Sequence, residues 1–194
     1  MFFNSSTVAG QWHDRAATLH HAVPIGTTGL AVCCIVSVHL PYIEQAMSQN
    51  IVTVSLTQQQ DYRFLIEFGA PVPAVLGDEP TPLGTSSGPS PVQLLAAAVG
   101  NCLSDSLLFA LRKFKQSPEP IRTQVQAEVG RNAEGRLRVQ AIESELHLGV
   151  PAAGLEHLQR ALDTFEQYCT VTQTIAAAVP VTLRVYDSTG QLLK

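Results

Sequence analysis

The chain has 194 residues, of which 45% are hydrophobic and 14% charged, and its formal net charge is −4. This length suits one domain with its own core, with or without an extension. Lysine and arginine do not cluster, so we expect no nucleic-acid partner. The low charge indicates that much surface is buried, and a homodimer is the simplest way for a chain of this size to bury it.

Four cysteines are present: Cys33, Cys34, Cys102 and Cys169. Adjacent cysteines such as Cys33 and Cys34 rarely form a disulfide with each other, because the geometry opposes it. No CxxC or CxxH spacing occurs, and four scattered cysteines are too few to hold a small secreted fold together. We therefore expect no metal or other cofactor and a reducing, cytoplasmic compartment.

Residues 1–46 show no sustained hydrophobic period. The apolar run Leu30–Val38 is far shorter than the ~20 residues that span a bilayer, and a basic segment and a clear cleavage site are both missing around it. We expect neither a signal peptide nor a membrane partner. We predict an N-terminal extension of unassigned role over residues 1–46 and a domain over residues 47–194, with Met47 as a candidate start.

The first predicted elements of the domain are two strands. Apolar and polar residues alternate over residues 52–57, which predicts a half-buried strand, and they alternate again over residues 62–68. Residues 58–61 are predicted to form the turn of this hairpin. A loop rich in Gly, Pro and Ser follows over residues 77–91.

A long helix is predicted after this loop. Ser90 suits the N-cap and Pro91 the first helical position, and the helix should run to about Lys115. Its residues from Leu94 to Val99 are apolar on every face, which predicts a helix buried at the centre of the domain.

The second half of the chain repeats this order. Residues 121–129 and 137–148 alternate around a turn at residues 132–135, and a slip in phase near residues 141–142 predicts a β-bulge. A single stripe at steps of three and four predicts a second long helix from about Gly154 to Ala176, followed by a last strand over residues 181–185. The predicted fold class is α+β with a ββαββαβ order, in which antiparallel sheets surround two long central helices.

Cys102 lies in the middle of the first predicted helix, and Cys169 lies on the inward stripe of the second. Two helices packed at ~8–10 Å can bring such side chains into contact. A redox pair needs one thiolate that attacks and a second thiol that resolves the sulfenic acid as a disulfide. Either cysteine could equally serve as a small hydrophobic residue of the core. Helix phasing leaves both interpretations open.

Two segments carry a family resemblance. The segment Gly88–Cys102, GPSPVQLLAAAVGNC, looks like the central helix and first cysteine of the OsmC/Ohr proteins, the osmotically induced and organic hydroperoxide resistance family. The segment Tyr168–Val185 is similar to that family's second cysteine and final strand, and the motif DEP at residues 78–80 resembles its loop. The resemblance extends from about Ile51 to the end of the chain.

The resemblance implies a thiol-dependent peroxidase that reduces organic hydroperoxides, and in some members hydrogen peroxide. By this similarity Cys102 would attack the peroxide and Cys169 would resolve the product. The site would lie at the interface of an intertwined homodimer, a dithiol would regenerate the enzyme, and no metal or organic cofactor would take part.

Two positions depart from the family pattern. Val92 stands where its hydroperoxide reductases usually have Glu, and Gln60 stands near the position of their Arg, with Arg63 three residues further on. A free thiol with a pKa of ~8.5 is mostly neutral at pH 7 unless a cation stabilises the thiolate. Arg63 is the best substitute for that cation, although it could instead be a solvated strand residue. The alternative function is therefore an OsmC-like domain with little peroxidase activity that binds an apolar small molecule at the dimer cleft.

The remaining candidates are weaker. Asp105 lies one turn beyond Cys102 and could orient an Arg or repel a thiolate. His147 and His157 are predicted to be surface residues. His13, His20 and His21 precede the Cys33–Cys34 pair without the spacing of metal ligands.

Overall fold

The structure is a computed structural model that describes residues 51–194. The domain boundary predicted at Met47, the Cys33–Cys34 pair and the three N-terminal histidines lie outside the described residues. The strands are β1 Ser55–Gln60, β2 Arg63–Glu67, β3 Val75–Gly77, β4 Arg122–Arg131, β5 Leu137–His147 and β6 Val181–Tyr186. The helices are α1 Pro91–Lys113, α2 Leu158–Thr164 and α3 Thr170–Ala176, with 3-10 turns at Ala152–Gly154 and Phe165–Tyr168.

Residues 51–77, which we call the arm, form an antiparallel sheet in the order β1-β2-β3. The predicted hairpin is confirmed, but its turn lies at Asp61–Tyr62, and a third strand forms where the loop was predicted to begin. All six residues of β1 are exposed, so the prediction that this strand is half-buried is wrong within one protomer. Ile66 is the one buried hydrophobic residue of the arm.

Residues 91–194, which we call the body, begin with α1. The Ser90 side chain accepts a hydrogen bond from the Gln93 backbone N–H, and the Gln93 side chain accepts one from the Ser90 backbone N–H. This capping box and Pro91 confirm the predicted start of the helix. Of the residues 51–194, α1 is the one helix whose length and composition would suffice to cross a membrane.

The second sheet has the order β4-β5-β6. Strands β4 and β5 are antiparallel, and the predicted bulge is confirmed at Gln140, because Glu128 pairs with Ala141 and Val129 with Val139. Strand β6 pairs with β5 in parallel, so the prediction of purely antiparallel sheets is wrong. The reason is topological, since α2 and α3 form a crossover that returns the chain to the same end of the sheet.

The prediction of a second long helix is also wrong. The segment breaks into α2, a 3-10 turn and α3, and Cys169 between the last two has an extended backbone with φ −81° and ψ 92°. The break lies at Cys169, and the β-branched run Thr170–Thr172 that follows it is helical in α3. The stripe of apolar residues persists through the breaks, which explains why spacing alone predicted one helix.

The core of the body lies between α1, β5, β6 and the two short helices. One face of α1 is buried, not every face as predicted. The fully buried hydrophobic residues of the core are Val99, Leu103, Leu107, Leu111, Ile142, Leu146, Ala161, Phe165, Cys169 and Val185.

A buried carboxylate, Asp78, organises the loop between the arm and α1. It accepts hydrogen bonds from the backbone N–H groups of Glu79, Thr85 and Ser87 and from the Thr85 hydroxyl. The bonds from Thr85 and Ser87 lower the pKa of Asp78 from 3.8 to about 2. The Asp78 carboxylate therefore fixes the conformation of this loop through these hydrogen bonds.

A second buried carboxylate, Asp187, organises the turn after β6 in the same way. It accepts hydrogen bonds from the Thr189 hydroxyl and from the backbone N–H groups of Ala152, Thr189 and Gln191. The bonds from Thr189 and Ala152 lower the pKa of Asp187 from 3.8 to about 2. This carboxylate joins the turn after β6 to the turn before α2.

Candidate active site

The structure brings Cys102 and Cys169 together. Their Sγ atoms lie 2.7 Å apart, although 67 residues separate the two positions in the chain. Both are free cysteines in the structure. A disulfide has an S–S distance of ~2.05 Å, so a small movement of either side chain would allow the bond to form.

The two cysteines differ in their surroundings. Cys102 is half-buried on α1, with one side toward the core and the other toward solvent. Cys169 is fully buried. A substrate from solvent can therefore reach the sulfur of Cys102 more readily than that of Cys169.

Burial raises the pKa of the Cys169 thiol, and its hydrogen bond to Cys102 raises it further. Thr172 acts in the opposite direction, because its Oγ1 lies 2.9 Å from the Cys169 Sγ. The Thr172 side chain is itself buried. The sequence analysis missed this contact. The available signal was a hydroxyl three residues after the cysteine.

Arg63 lies at the start of β2, in the arm. Its guanidinium donates a hydrogen bond of 3.2 Å to Gln60 Oε1. Among residues 51–194 of this protomer, no Lys, Arg or His side chain is hydrogen-bonded to either sulfur. The role predicted for Arg63 beside Cys102 thus stays a prediction.

Of the other predicted positions that the structure describes, none is hydrogen-bonded to either sulfur. Val92 is half-buried in the first turn of α1. Asp105 is exposed and accepts a hydrogen bond from Asn101 Nδ2. His147 stacks on Tyr186 at the end of β5.

His157 precedes α2 in a left-handed conformation, with its ring 5.1 Å from that of Phe114. Within the described part of the chain, no group of three His, Cys, Asp or Glu side chains could hold a metal ion.

A family model matches the part of the chain that carries the two cysteines. The family model described as OsmC-like protein matches residues 84–184, a segment that contains both cysteines. Among curated proteins no sequence matches the chain.

Solved structures share the fold. An OsmC-like protein of unknown function from Vibrio cholerae has a TM-score of 0.60 at 14% identity, with 71% of this chain and 99% of that chain covered. An organic hydroperoxide resistance protein OsmC from Legionella pneumophila has a TM-score of 0.56 at 16% identity, with coverages of 71% and 98%. An organic hydroperoxide resistance protein from Elizabethkingia anophelis has a TM-score of 0.58 at 15% identity, with coverages of 72% and 99%.

Proposed function

The chain belongs to the OsmC-like protein family, and on this basis we propose that it is a thiol-dependent peroxidase that reduces organic hydroperoxides through Cys102 and Cys169. One observation carries the proposal, namely the distance of 2.7 Å between the two sulfur atoms. The relatives from Legionella and Elizabethkingia, both described as organic hydroperoxide resistance proteins, support the choice of substrate.

The proposed reaction consumes one hydroperoxide and one dithiol. The Cys102 thiolate attacks the terminal oxygen of the hydroperoxide, so an S–O bond forms, the O–O bond breaks, and the leaving alkoxide takes up a proton to become an alcohol. Cys169 then attacks the sulfenic sulfur, which gives the Cys102–Cys169 disulfide and releases water. An external dithiol reduces this disulfide by thiol–disulfide exchange and is itself oxidised to a disulfide.

The environment of each cysteine supports this assignment of roles. The attacking species in such a reaction is the thiolate. Burial raises the pKa of Cys169 and so favours its neutral thiol, whereas Cys102 lies on a partly open face of α1. Cys102 is therefore assigned the attack and Cys169 the resolution.

The proposal includes a homodimer. The arm leaves large apolar side chains uncovered, with Leu56 60% exposed and Phe64 37% exposed. Soluble proteins bury contiguous apolar surface of this kind, and a second protomer would cover it. Because the arm also carries Arg63, an arm laid across a second protomer would bring a guanidinium to that protomer's body. The dithiol reductant also implies a reducing, cytoplasmic setting.

A second candidate function is an OsmC-like domain with little peroxidase activity that binds an apolar small molecule at the dimer cleft. Val92 favours this function. A valine at the position of the family's Glu cannot pair with an arginine, and it adds apolar surface. The hydrogen bond of Arg63 to Gln60 favours it as well.

We expect Cys102→Ser to lower the rate of cumene hydroperoxide reduction with dithiothreitol by at least about 100-fold, because the attacking thiolate is lost. The double variant Cys33→Ser, Cys34→Ser is the control and should keep the wild-type rate. In Cys169→Ser, one equivalent of hydroperoxide should leave a sulfenic acid on Cys102 that dimedone traps. Wild-type protein no faster than Cys102→Ser would refute the peroxidase and leave the binding function.

A further inference from the structure

The Cys169 sulfur is fully buried and forms two hydrogen bonds within the protomer. One joins it to the Cys102 sulfur at 2.7 Å, and the other joins it to Thr172 Oγ1 at 2.9 Å. A thiol has one proton, so Cys169 can donate in only one of these contacts at a time. When Cys169 donates to Cys102, the proton in the second contact has to come from the Thr172 hydroxyl.

The Thr172 hydroxyl is oriented differently from that of its neighbour in α3. Thr174 donates a hydrogen bond of 2.9 Å to the carbonyl oxygen of Thr170, four residues earlier, as threonines within helices commonly do. For Thr172 the hydrogen-bond partner within residues 51–194 is the Cys169 sulfur instead. The Thr172 side chain is only 4% exposed, so water does not compete for its hydroxyl. This hydroxyl is therefore available as a donor to the sulfur.

The backbone around Cys169 holds the two groups at this distance. The Cys169 N–H donates to the Glu166 carbonyl oxygen at 3.0 Å, and the Gln173 N–H donates to the Cys169 carbonyl oxygen at 2.9 Å. The Gln173 side chain donates to the same Glu166 carbonyl oxygen at 3.1 Å. The approach of the sulfur to Cys102 is thus left mainly to the Cys169 side chain, and Thr172 stays within reach of it.

Two steps of the proposed reaction pass through a Cys169 thiolate. In resolution, Cys169 loses its proton and attacks the sulfenic sulfur of Cys102; the S–S bond forms, the S–O bond breaks, and the departing hydroxide takes up a proton to become water. In reduction, a thiolate of the external dithiol attacks the Cys102 sulfur, and Cys169 leaves as a thiolate that is then protonated. A buried anion is costly unless a hydrogen-bond donor faces it.

We propose that Thr172 is a catalytic residue that turns its hydroxyl hydrogen toward the Cys169 sulfur and stabilises the thiolate. The inference rests on the proposed peroxidase and adds a residue to its resolution and reduction steps. The first step, the attack of Cys102 on the hydroperoxide, does not ionise Cys169 and does not need Thr172. Burial raises the pKa of the Cys169 thiol and the Thr172 hydroxyl opposes this change, which agrees with the role.

The first test measures reduction of the Cys102–Cys169 disulfide by dithiothreitol, followed by mass spectrometry of the linked peptides. The disulfide is prepared beforehand with diamide, an azo oxidant that takes up the two hydrogens of the thiols. Thr172→Val removes the hydroxyl and keeps the side-chain volume, and it should slow reduction roughly threefold to tenfold, because the leaving thiolate loses a donor. Thr172→Ser keeps the hydroxyl and should react at nearly the wild-type rate.

The matched control is Thr170→Val, the same substitution at an exposed position of α3, and its rate should equal that of the wild type. Thr172→Ala is a second variant without the hydroxyl and should be slowed like Thr172→Val.

The second test follows the peroxide half of the reaction. After one equivalent of cumene hydroperoxide, Thr172→Val should form the Cys102 sulfenic acid as fast as the wild type but resolve it more slowly. Dimedone should therefore trap a larger fraction of Cys102 in Thr172→Val than in Thr172→Ser or Thr170→Val.

Three results would overturn the inference: reduction of Thr172→Val at the wild-type rate, a Thr172→Ser variant as slow as Thr172→Val, and a Thr172→Val variant in which the attack of Cys102 is slowed as much as resolution. The second would mean that the methyl group and its packing matter, and the third would mean a general disturbance of the site. Because diamide replaces the hydroperoxide, the first test does not depend on peroxidase activity. Slower reduction of Thr172→Val without hydroperoxide turnover in the wild type would refute only the peroxidase. Hydroperoxide turnover with normal resolution and reduction in Thr172→Val would refute only the role of Thr172.

Discussion

The arm and the body carry the same kind of hydrophobic pattern and differ in what covers it. In β5 the residues Ile142 and Leu146 are fully buried in the core that also contains residues of α1 and the short helices. In β1 and β2 the alternation is as regular, yet Leu56 and Phe64 remain exposed. Alternation therefore identifies the face of a strand that needs a partner, and it does not identify whether that partner is in the same chain. The proposed homodimer follows from this difference.

The largest expected effect comes from a core residue of the body. Phe165→Ala removes a fully buried ring and should lower the free energy of unfolding by roughly 3–5 kcal/mol. Urea denaturation should show the same loss at every protein concentration, because the core lies within one protomer.

The matched variant in the arm is Phe64→Ala. It removes the same ring from a side chain that is 37% exposed. Its cost should depend on protein concentration and should appear as weaker dimerisation in sedimentation equilibrium. If Phe64→Ala were as costly as Phe165→Ala at all concentrations, the arm would have a core of its own and the contrast would fail.

The loop of residues 78–90 joins the arm to the body, and we call it the junction. A substitution there should lower stability by an intermediate amount. A Cβ at Gly88 would collide with the backbone carbonyl oxygen of Leu76 in β3. Because backbone cannot move aside as a side chain can, Gly88→Ala should cost roughly 1–3 kcal/mol in urea unfolding. Gly154→Ala is the control, since no heavy atom lies within 4 Å of its added Cβ, and it should change stability by less than ~0.5 kcal/mol. Equal stability of the two variants would show that the junction is not tightly packed.

Local sequence signals predicted part of this structure well. Ser90 and Pro91 marked the start of α1 because capping depends on a few neighbouring residues, and the change of phase near residues 141–142 indicated the bulge that lies at Gln140. Cys169 was placed correctly on the inward side of its segment. Its position at a break was missed, because apolar residues at steps of three and four continue whether or not the backbone hydrogen bonds do.

Other features depend on residues distant in sequence and could not be predicted from local patterns. The parallel pairing of β6 with β5 is set by the crossover, not by the alternation within β6. The contact of Thr172 with Cys169 needed the bent backbone between the last turn and α3.

The smallest expected effect is a pH dependence that compares the two buried carboxylates, one at the junction and one in the body. The pKa of Asp78 and of Asp187 is about 2 in the folded protein, against 3.8 as the usual value. A lowered pKa means that the folded state binds the proton more weakly than the unfolded state does. Each carboxylate therefore stabilises the fold above about pH 4, and this stabilisation is lost as the pH falls from about 4 to about 2.

The test measures Tm for the wild type, Asp78→Asn and Asp187→Asn between pH 2 and pH 7. Each variant should melt roughly 5 °C lower than the wild type at pH 7, because an amide replaces the acceptor of several hydrogen bonds, and the difference should shrink toward pH 2. Limited proteolysis provides the comparison between the two sites: Asp78→Asn should increase cleavage between residues 78 and 90, because Asp78 holds that loop, and Asp187→Asn should leave this cleavage unchanged. A Tm difference that stays constant down to pH 2 would contradict the charge-based explanation. Equal proteolysis of the two variants would show that the arm and the body unfold as one unit.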